Sequence, residues 1–460
     1  MRNRKPKHYR YNFHMRRISC CIFILALFLK TTGQTPAQEI DELMKAYTNQ
    51  NSFNGTVLVA EKGNIILAKG YGYKNIILKT LNDSNTIFQI GSVTKQFTAA
   101  IVLQLQEQHK LSLTDRLSKY IPGYPNGDSI SIEYLLTHTS GIYNYTNDTA
   151  FMKNKATKPV QPYDLIALFR NKPFNFRPGE KFSYSNSGYV LLGYIIEKVT
   201  GQSYFTVVRD RIFKPLGMSH SGFDFTNLKS PDKSTGYFKA SPTSVVPATV
   251  VDSSVSYSAG SIYSTISDLY KWDRALYTDK IVHDSSLQKA FTPYKNKYGY
   301  GWVIDSSYGK KVVMHQGSIF GFVSFIGRIP ADQTCIILFD NKQSPGLAKM
   351  AENINAILNQ QPYDFPIPKK EISVDSNILK KYTGQYQLSP GFFINISIED
   401  GRLMAQATGQ GETELFAEKE NLFFVKLEDI EIEFVSNTEG KTDRLLLYQS
   451  GQKYAALKIK

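Results

Sequence analysis

The sequence predicts an α+β fold, in which strands at the start and end of a main domain enclose a helical middle and a small antiparallel β-barrel follows. Three observations predict it. Residues 56–70 have the pattern of a β-hairpin. Two apolar stretches after Ser92 and Ser187 have helical spacing. About eight short strand-like runs fill the last 85 or so residues.

The elements of the main domain follow in order. The hairpin has strands at 56–60 and 65–68, and from Ser92 apolar residues recur every four positions, which predicts a first helix. A second helix is predicted over 189–199, ending near Gly201, because glycine commonly follows the last helical residue. Two further strands are predicted at 322–329 and 334–340.

The tail has a different character from the rest of the chain. A proline-rich stretch at 359–370 is typical of a semi-rigid linker. Isoleucines at 394, 396 and 398 alternate with polar residues, and the turn at 399–401 predicts a hairpin. The predicted division is a targeting segment at 1–33, a main domain at 34–358, a linker at 359–373 and a barrel at 374–460.

The charge distribution argues against a nucleic-acid partner. The chain has 54 basic and 40 acidic residues, a formal net charge of +14. Eight of the basic residues lie in residues 1–33, which contain no acid, so the other 427 residues carry only +6. That remainder shows no concentrated basic stretch that could neutralise a row of phosphates.

Residues 1–33 are typical of an export signal. A basic stretch up to Arg17 precedes an apolar run at 18–29, which is too short to cross a bilayer of about 30 Å as a helix. We therefore predict an exported protein, periplasmic or secreted. An uncleaved signal acting as an anchor is the alternative, and it is the only membrane association that we expect. Removal of this segment leaves Cys335, in an apolar strand-like run, and no intrachain disulfide.

Ser92 and Lys95 are the first candidate catalytic pair. Three residues apart at the start of a helix, their side chains lie on one face within hydrogen-bond reach. The helix N-terminus and burial both disfavour an ammonium on Lys95 and favour a reactive Ser92 hydroxyl. The same spacing recurs at four other serines, none of which opens a long amphipathic helix after an apolar run: Ser230, Ser286, Ser307 and Ser450.

Tyr184 and Asn186, just before the second helix, form a second polar cluster. A phenol near a nucleophile can relay or accept a proton, and an asparagine side chain can bind an amide through both its donor and its acceptor. His138, in the run 135–141, is interpreted as a residue that orders its loop.

The third cluster, His315, Gly317 and Ser318, follows a strand-like run. A glycine there lets a substrate approach the backbone, and the next N–H can point at a carbonyl oxygen. His315 can donate to a substrate carboxylate or take part in proton transfer. The seven histidines show no metal-ligand spacing, so neither a metal nor another cofactor is expected.

Taken in order, these clusters resemble the serine β-lactamase and penicillin-binding-protein superfamily, whose signature is Ser-x-x-Lys. The branch most similar contains class C β-lactamases, D-Ala-D-Ala carboxypeptidases, esterases and D-aminopeptidases. The resemblance implies a β-lactamase/transpeptidase-like antiparallel sheet with flanking helices and a helical subdomain. The tail from about 374 resembles the lipocalin-like barrel that some members append. The main-domain stretches that carry the likeness are 90–98, 135–142, 178–180, 184–189, 215–218, 259–265 and 315–318.

The resemblance implies acyl transfer. Ser92 would attack a carbonyl, with Lys95 and Tyr184 handling its proton. The backbone N–H groups of Ser92 and Ser318 would stabilise the oxyanion. The residues implied to bind substrate are Asn186, His315 and Gly317.

One departure from the class C pattern bears on the substrate. The third motif is usually Lys-Thr-Gly, and here it is His315-Gln316-Gly317. A histidine is only partly charged near neutral pH and binds a carboxylate less strongly than lysine does. We predict a serine hydrolase acting on small-molecule or peptide substrates: D-amino-acid peptides, in the manner of a D-Ala-D-Ala carboxypeptidase, or small esters. A weak β-lactamase, or a catalytically idle module that binds penicillin or cell wall, remains the alternative.

Overall fold

A computed structural model of the chain describes residues 33–239, 244–344, 346–367, 369–426, 430–449 and 452–460. Residues 36–460 form one unit. The predicted export signal lies outside the described residues, apart from Gly33. Among the helices in these ranges, none combines the length and the apolar character needed to cross a membrane.

The elements within the described ranges alternate between strands and helices. The strands are β1 (Gly55–Glu61), β2 (Asn64–Tyr71), β3 (Tyr73–Asn75), β4 (Thr80–Leu81), β5 (Phe88–Gln89), β6 (Tyr237–Lys239), β7 (Val245–Pro247), β8 (Tyr263–Ser264), β9 (Val303–Ser307), β10 (Lys310–Ile319), β11 (Phe322–Ile329), β12 (Thr334–Asp340), β13 (Gly384–Ser389), β14 (Phe392–Glu399), β15 (Arg402–Ala407), β16 (Glu412–Ala417), β17 (Leu422–Phe424), β18 (Ile430–Ser436), β19 (Thr442–Gln449) and β20 (Gln452–Lys458). The helices are α1 (Pro36–Asn49), α2 (Thr94–Glu107), α3 (Leu117–Tyr120), α4 (Ile132–Leu136), α5 (Thr149–Lys155), α6 (Pro162–Arg170), α7 (Asn186–Thr200), α8 (Tyr204–Val208), α9 (Lys214–Leu216), α10 (Ser253–Gly260), α11 (Ile266–Ala275), α12 (Asp284–Ala290), α13 (Leu347–Leu358) and α14 (Ser376–Tyr382).

The main sheet joins strands from the two ends of the domain. Its strand order is β2-β1-β12-β11-β10-β9, and every neighbouring pair is antiparallel. Successive side chains of a strand point to opposite faces of a sheet. Val57 and Val59 accordingly pack with α1 and α13. Leu58 and Ala60 pack on the other face, in the core that contains α2, α7 and α11. The sheet therefore has helices on both faces, and the predicted fold class is confirmed.

The helical middle carries the segment that holds Ser92. Both predicted helices are present as α2 and α7, and α7 ends at Gly201, which has φ 69° as expected of a left-handed C-terminal residue. The start of the first helix differs from the prediction, because a 3-10 turn at Gly91–Val93 precedes α2. Ser92 lies in that turn and Lys95 in the first turn of the α-helix.

The described part of the tail closes into an antiparallel barrel of eight strands, β13 to β20, as the sequence predicts. Its interior is filled by apolar side chains, and the rings of Tyr382 and Phe434 stack with centroids 4.3 Å apart. The predicted turn between β14 and β15 is formed by Asp400 and Gly401, with φ 47° and 77°. Positive φ at both central residues is the requirement of a tight hairpin turn.

Candidate active site

Lys95 is fully buried beside Ser92. Its Nζ donates to Asn186 Oδ1 and to the backbone carbonyl of Ala259, each at 2.8 Å, and lies 3.0 Å from Ser92 Oγ. An amide oxygen and a carbonyl oxygen can only accept hydrogen bonds. A neutral amine has two N–H donors and one lone pair. Once the donors are used, the lone pair faces the Ser92 hydroxyl.

The environment favours the neutral form of this amine. Burial lowers the pKa of Lys95 well below its ordinary value, because the ammonium loses its water. The rings of Tyr184 and Tyr189, 4.8 and 5.4 Å from Nζ, act in the opposite direction. A desolvated cation–π contact contributes about 2 kcal/mol, so the two together offset about 4 kcal/mol of a desolvation cost whose idealised value is about 20 kcal/mol. Desolvation therefore dominates, and Lys95 can accept a proton from Ser92.

A break in α10 leaves the Ala259 carbonyl, which accepts from Lys95, without a hydrogen-bond partner within the helix. Tyr257 has φ 38° and ψ −135° inside this helix, so the ladder of helical hydrogen bonds is interrupted there. Two α10 carbonyls then accept from α2: that of Ser258 from the Thr98 hydroxyl at 2.7 Å, and that of Ala259 from Lys95. Sequence reasoning did not assign this role to Ala259, because a backbone acceptor leaves no trace in the residue type.

Tyr184 lies against the Ser92–Lys95 pair and is packed by His138. The two rings are 4.3 Å apart, and His138 Nδ1 accepts the backbone N–H of Ser185 at 3.2 Å. The carbonyl of His138 also accepts the N–H of Ser183 at 2.9 Å. Burial raises the pKa of the Tyr184 phenol, while a hydrogen bond with Ser92 lowers it. The phenol is therefore protonated at neutral pH and suits proton relay.

Asn186 is the first residue of α7 and makes three hydrogen bonds within the protein. Its backbone N–H donates to Asn144 Oδ1 at 3.0 Å, its Oδ1 accepts from Lys95, and its Nδ2 donates to Thr146 Oγ1 at 3.1 Å. One hydrogen of Nδ2 is left over from these contacts, because an amide nitrogen has two. The Thr146 contact was not predicted, since it joins a 3-10 turn 40 residues away to the helix.

Two glycines bring β10 against the Ser92 turn. A Cβ added at Gly91 would lie 2.9 Å from the backbone nitrogen of Ser318, and one added at Gly317 would lie 2.0 Å from the carbonyl oxygen of Ile90. β9 pairs with β10 only as far as Met314, so residues 315–319 extend beyond it. Close backbone packing thus places Ser92 and Ser318 side by side at the end of β10.

The surroundings of Gly317 differ from those that the sequence predicted. A substrate was expected to approach the backbone through the space that the missing side chain leaves. That space is filled by the Ile90 carbonyl and by Ser324 Oγ, which would lie 2.4 Å from an added Cβ. The glycine instead permits two parts of the protein to pack together, and Gly317 does not line the cleft beside Ser92.

His315 is also placed differently from the interpretation as a substrate donor. It is 4% exposed, and both ring nitrogens are bonded within the protein. Nδ1 lies 2.5 Å from the carbonyl oxygen of Gln316, which can only accept, so Nδ1 carries the proton. Nε2 then accepts the Tyr298 hydroxyl at 2.9 Å. In this arrangement neither nitrogen is free to donate to a substrate.

His315 should stay neutral between pH 5 and pH 8. Desolvation by burial, together with the nearby Lys95, lowers the pKa of His315 to about 3. We expect ¹⁵N NMR of histidine-labelled protein to show the neutral Nδ1–H tautomer down to about pH 4. A midpoint near the ordinary value of 6.5, or a proton on Nε2, would contradict this assignment.

A cleft of about 350 Å³ opens directly on Ser92. Of the predicted site residues, Ser92, Asn186 and Ser318 line it, while Lys95, Tyr184 and His315 do not. Lys95 is in hydrogen-bond contact with Ser92 and Asn186, and the Tyr184 and His315 rings are 6.4 Å apart. The arrangement is a nucleophile at the floor of a cleft with a base and a phenol behind it.

Comparisons with known proteins identify the family of the chain. A family model described as Beta-lactamase matches residues 38–359, and one described as Domain of unknown function (DUF3471) matches residues 368–458. The chain is 31% identical to "Penicillin-binding protein 4*" of Bacillus subtilis, over 93% of this chain and all of that relative.

Solved structures give the same result. The octameric penicillin-binding protein homologue from Pyrococcus abyssi superposes with a TM-score of 0.65 at 26% identity, covering 91% of this chain and 99% of that one. A D-stereospecific amidohydrolase from Streptomyces sp. superposes with a TM-score of 0.60 at 26% identity, covering 70% and 99% of the two chains. The chain therefore belongs to the β-lactamase and penicillin-binding-protein superfamily of serine hydrolases.

Proposed function

We propose that this chain is an exported serine hydrolase that forms an acyl-enzyme at Ser92. Its substrates are D-amino-acid peptides, in the manner of a D-Ala-D-Ala carboxypeptidase, or small esters. The observation that carries the proposal is the buried amine of Lys95, 3.0 Å from Ser92 Oγ, with both of its N–H donors used elsewhere. The similarity to a penicillin-binding protein and to a D-stereospecific amidohydrolase supports the substrate classes. Export rests on the sequence of residues 1–33.

In the acylation step, Ser92 Oγ attacks the substrate carbonyl and a bond forms between them. The Ser92 proton passes to Lys95 Nζ. As the bond to the leaving group breaks, the leaving oxygen or nitrogen takes up a proton that returns from Lys95 through the Tyr184 hydroxyl. Water then attacks the acyl carbon, gives one proton to the same relay, and releases the acid while Ser92 regains its hydrogen.

Three hydrogen-bond donors at the cleft support this chemistry. The backbone N–H groups of Ser92 and Ser318 stabilise the oxyanion, and a donor of this kind contributes about 2.7–4 kcal/mol to the transition state. The free hydrogen of Asn186 Nδ2 binds the substrate carbonyl on the acyl side. A module that only binds its ligand has no use for a lysine kept neutral beside a hydroxyl, which favours catalysis over idle binding.

Intact-mass spectrometry tests the proposal. The protein is mixed separately with a penicillin, a short-chain nitrophenyl ester and an N-acylated peptide ending in D-Ala-D-Ala. We expect either a mass increase equal to the acyl group or product release without accumulation, and both should be lost in Ser92→Ala. Stable accumulation with penicillin alone would identify a penicillin-binding protein with slow deacylation, and penicillin turnover a β-lactamase. Reactivity unchanged in Ser92→Ala would overturn the assignment.

A further inference from the structure

The wall of the cleft beside Ser92 combines apolar and neutral polar side chains. Of the residues that line it, all of which belong to the described ranges, none has a charged side chain. Besides Ser92, the residues Thr146, Ser256 and Ser318 supply hydroxyl groups, and Asn186 and Gln343 supply amides. The large apolar side chains of the wall are Tyr145, Met152, Val251, Val255, Ile319 and Phe320.

The third motif does not supply the missing charge. His315 is buried behind the wall, with its Nδ1–H on the Gln316 carbonyl and its Nε2 on the Tyr298 hydroxyl. A substrate carboxylate in the cleft would therefore lack a cationic partner, and an ammonium would lack a carboxylate. Burying either ion without a partner costs free energy, whereas a neutral group of the same size enters without that cost.

Gln343 is a polar residue whose backbone is held firmly at the cleft, and its side-chain Nε2 donates to the Ile319 carbonyl at 3.4 Å. The residue has φ 47°, in the left-handed region that disfavours L-residues by roughly 1–2 kcal/mol. The buried Asp340 fixes this conformation: its Oδ1 accepts the backbone N–H groups of Lys342 at 2.8 Å and Ser344 at 2.9 Å, on either side of Gln343. Its Oδ2 accepts the backbone N–H of Asn54 at 2.9 Å. The side-chain amide of Gln343 can form a hydrogen bond with a neutral carbonyl or N–H group of a substrate, but it has no charge with which to neutralise an ion.

We propose that this cleft selects substrates without a charge next to the scissile carbonyl. The class is neutral carboxylic esters, thioesters and N-acylated amides with apolar side groups, and Gln343 is the specificity-determining residue. The proposal rests on the acyl-enzyme function proposed above and, of its two substrate classes, favours esters and N-acylated amides over peptides that end in D-Ala-D-Ala. Peptides with a free terminal carboxylate or ammonium beside the reacting bond are poor substrates.

Matched substrate pairs that differ only in charge test the selection. For the carboxylate, N-benzoylglycyl thioglycolate is compared with its methyl ester by thiol release. For the ammonium, D-alanine 4-nitroanilide is compared with its N-acetyl derivative. After correction for the alkaline hydrolysis rate of each compound, we expect kcat/KM to be at least about tenfold higher for the neutral member of each pair. A preference for either charged member would overturn the proposal.

A charge-introducing variant tests the role of Gln343. In Gln343→Lys, the ratio of the carboxylate substrate to its methyl ester should rise by at least about tenfold, because a cation then faces the cleft. Gln360→Lys is the matched control, since Gln360 is exposed and also has a positive φ of 55°, but does not line the cleft. An unchanged ratio in folded Gln343→Lys, judged by its circular dichroism, would remove Gln343 from the proposal. If no member of either pair acylates or is hydrolysed at Ser92, the proposed function fails and this inference fails with it.

Discussion

Replacing Lys95 with methionine is expected to slow acylation of Ser92 by about 10²- to 10⁴-fold, the range typical of losing a general base. The methionine fills a similar volume but has no lone pair basic enough to take the Ser92 proton. Single-turnover acylation by a nitrophenyl ester, followed by nitrophenol release, measures the effect. The wild-type rate should rise with pH through the pKa of Lys95, well below the ordinary lysine value, because only the neutral amine accepts a proton.

Stability separates this catalytic role from a structural one. The folded state holds Lys95 as a neutral amine, whereas the unfolded chain takes up a proton at any pH below 10.5, so burying this lysine costs stability at neutral pH. Lys95→Met removes that cost but leaves the Asn186 and Ala259 oxygens without a donor, at about 1–3 kcal/mol each. We therefore expect a modest change in the urea midpoint together with a large loss of rate.

A second serine–lysine pair of the same spacing provides the control. Ser286 and Lys289 lie on α12, where Lys289 is exposed. Lys289→Met should leave both the acylation rate and the urea midpoint unchanged. Acylation of Lys95→Met at nearly the wild-type rate would show that another group accepts the Ser92 proton.

Local patterns predicted the elements of this fold better than their arrangement. The predicted strands 322–329 and 334–340 have the bounds of β11 and β12, because each is a short apolar run closed by a turn. The pairing of β1 with β12 was not predictable in the same way. This pairing places Gly55 opposite Asp340. Its register depends on which side chains of the two strands pack against α1 and α13.

The candidate site shows a similar division between residue types and their partners. The spacing of Ser92 and Lys95 predicted that their side chains lie close together, and the resemblance to a known family singled this pair out from four others of the same spacing. The roles of His315 and Gly317 depend on groups elsewhere: the Tyr298 hydroxyl for the histidine, and the Ile90 carbonyl for the glycine. Neither partner has a fixed sequence distance from its motif, so spacing alone could not distinguish a substrate contact from an internal one.

Replacing Gly317 with alanine is expected to lower kcat for ester hydrolysis by about 10²- to 10³-fold. The added methyl would lie 2.0 Å from the Ile90 carbonyl oxygen and 2.4 Å from Ser324 Oγ, far inside contact distance. Ser324 Oγ already donates to that same carbonyl at 2.7 Å, so β10 must move away from the strand that leads into Ser92. The displaced neighbour of Gly317 is Ser318, whose N–H is one of the two proposed oxyanion donors.

The same clash should reduce stability, by about 1–3 kcal/mol for an overpacked core site. Rates are therefore measured well below the unfolding midpoint and normalised to the folded fraction. Gly411→Ala is the control, because an added Cβ there meets nothing within 4 Å and its φ is not in the left-handed region. That variant should keep both wild-type kcat and wild-type stability.

The kinetic pattern of Gly317→Ala distinguishes an oxyanion defect from general damage to the cleft. An oxyanion donor acts on charge that develops only in the transition state, so its displacement lowers kcat with little change in KM. Distortion of the apolar wall would instead raise KM, since Ile319 and Phe320 follow directly after Ser318 in the cleft lining. A folded Gly317→Ala protein with normal kcat would mean that the close packing of β10 on Ile90 does not set the position of the Ser318 N–H.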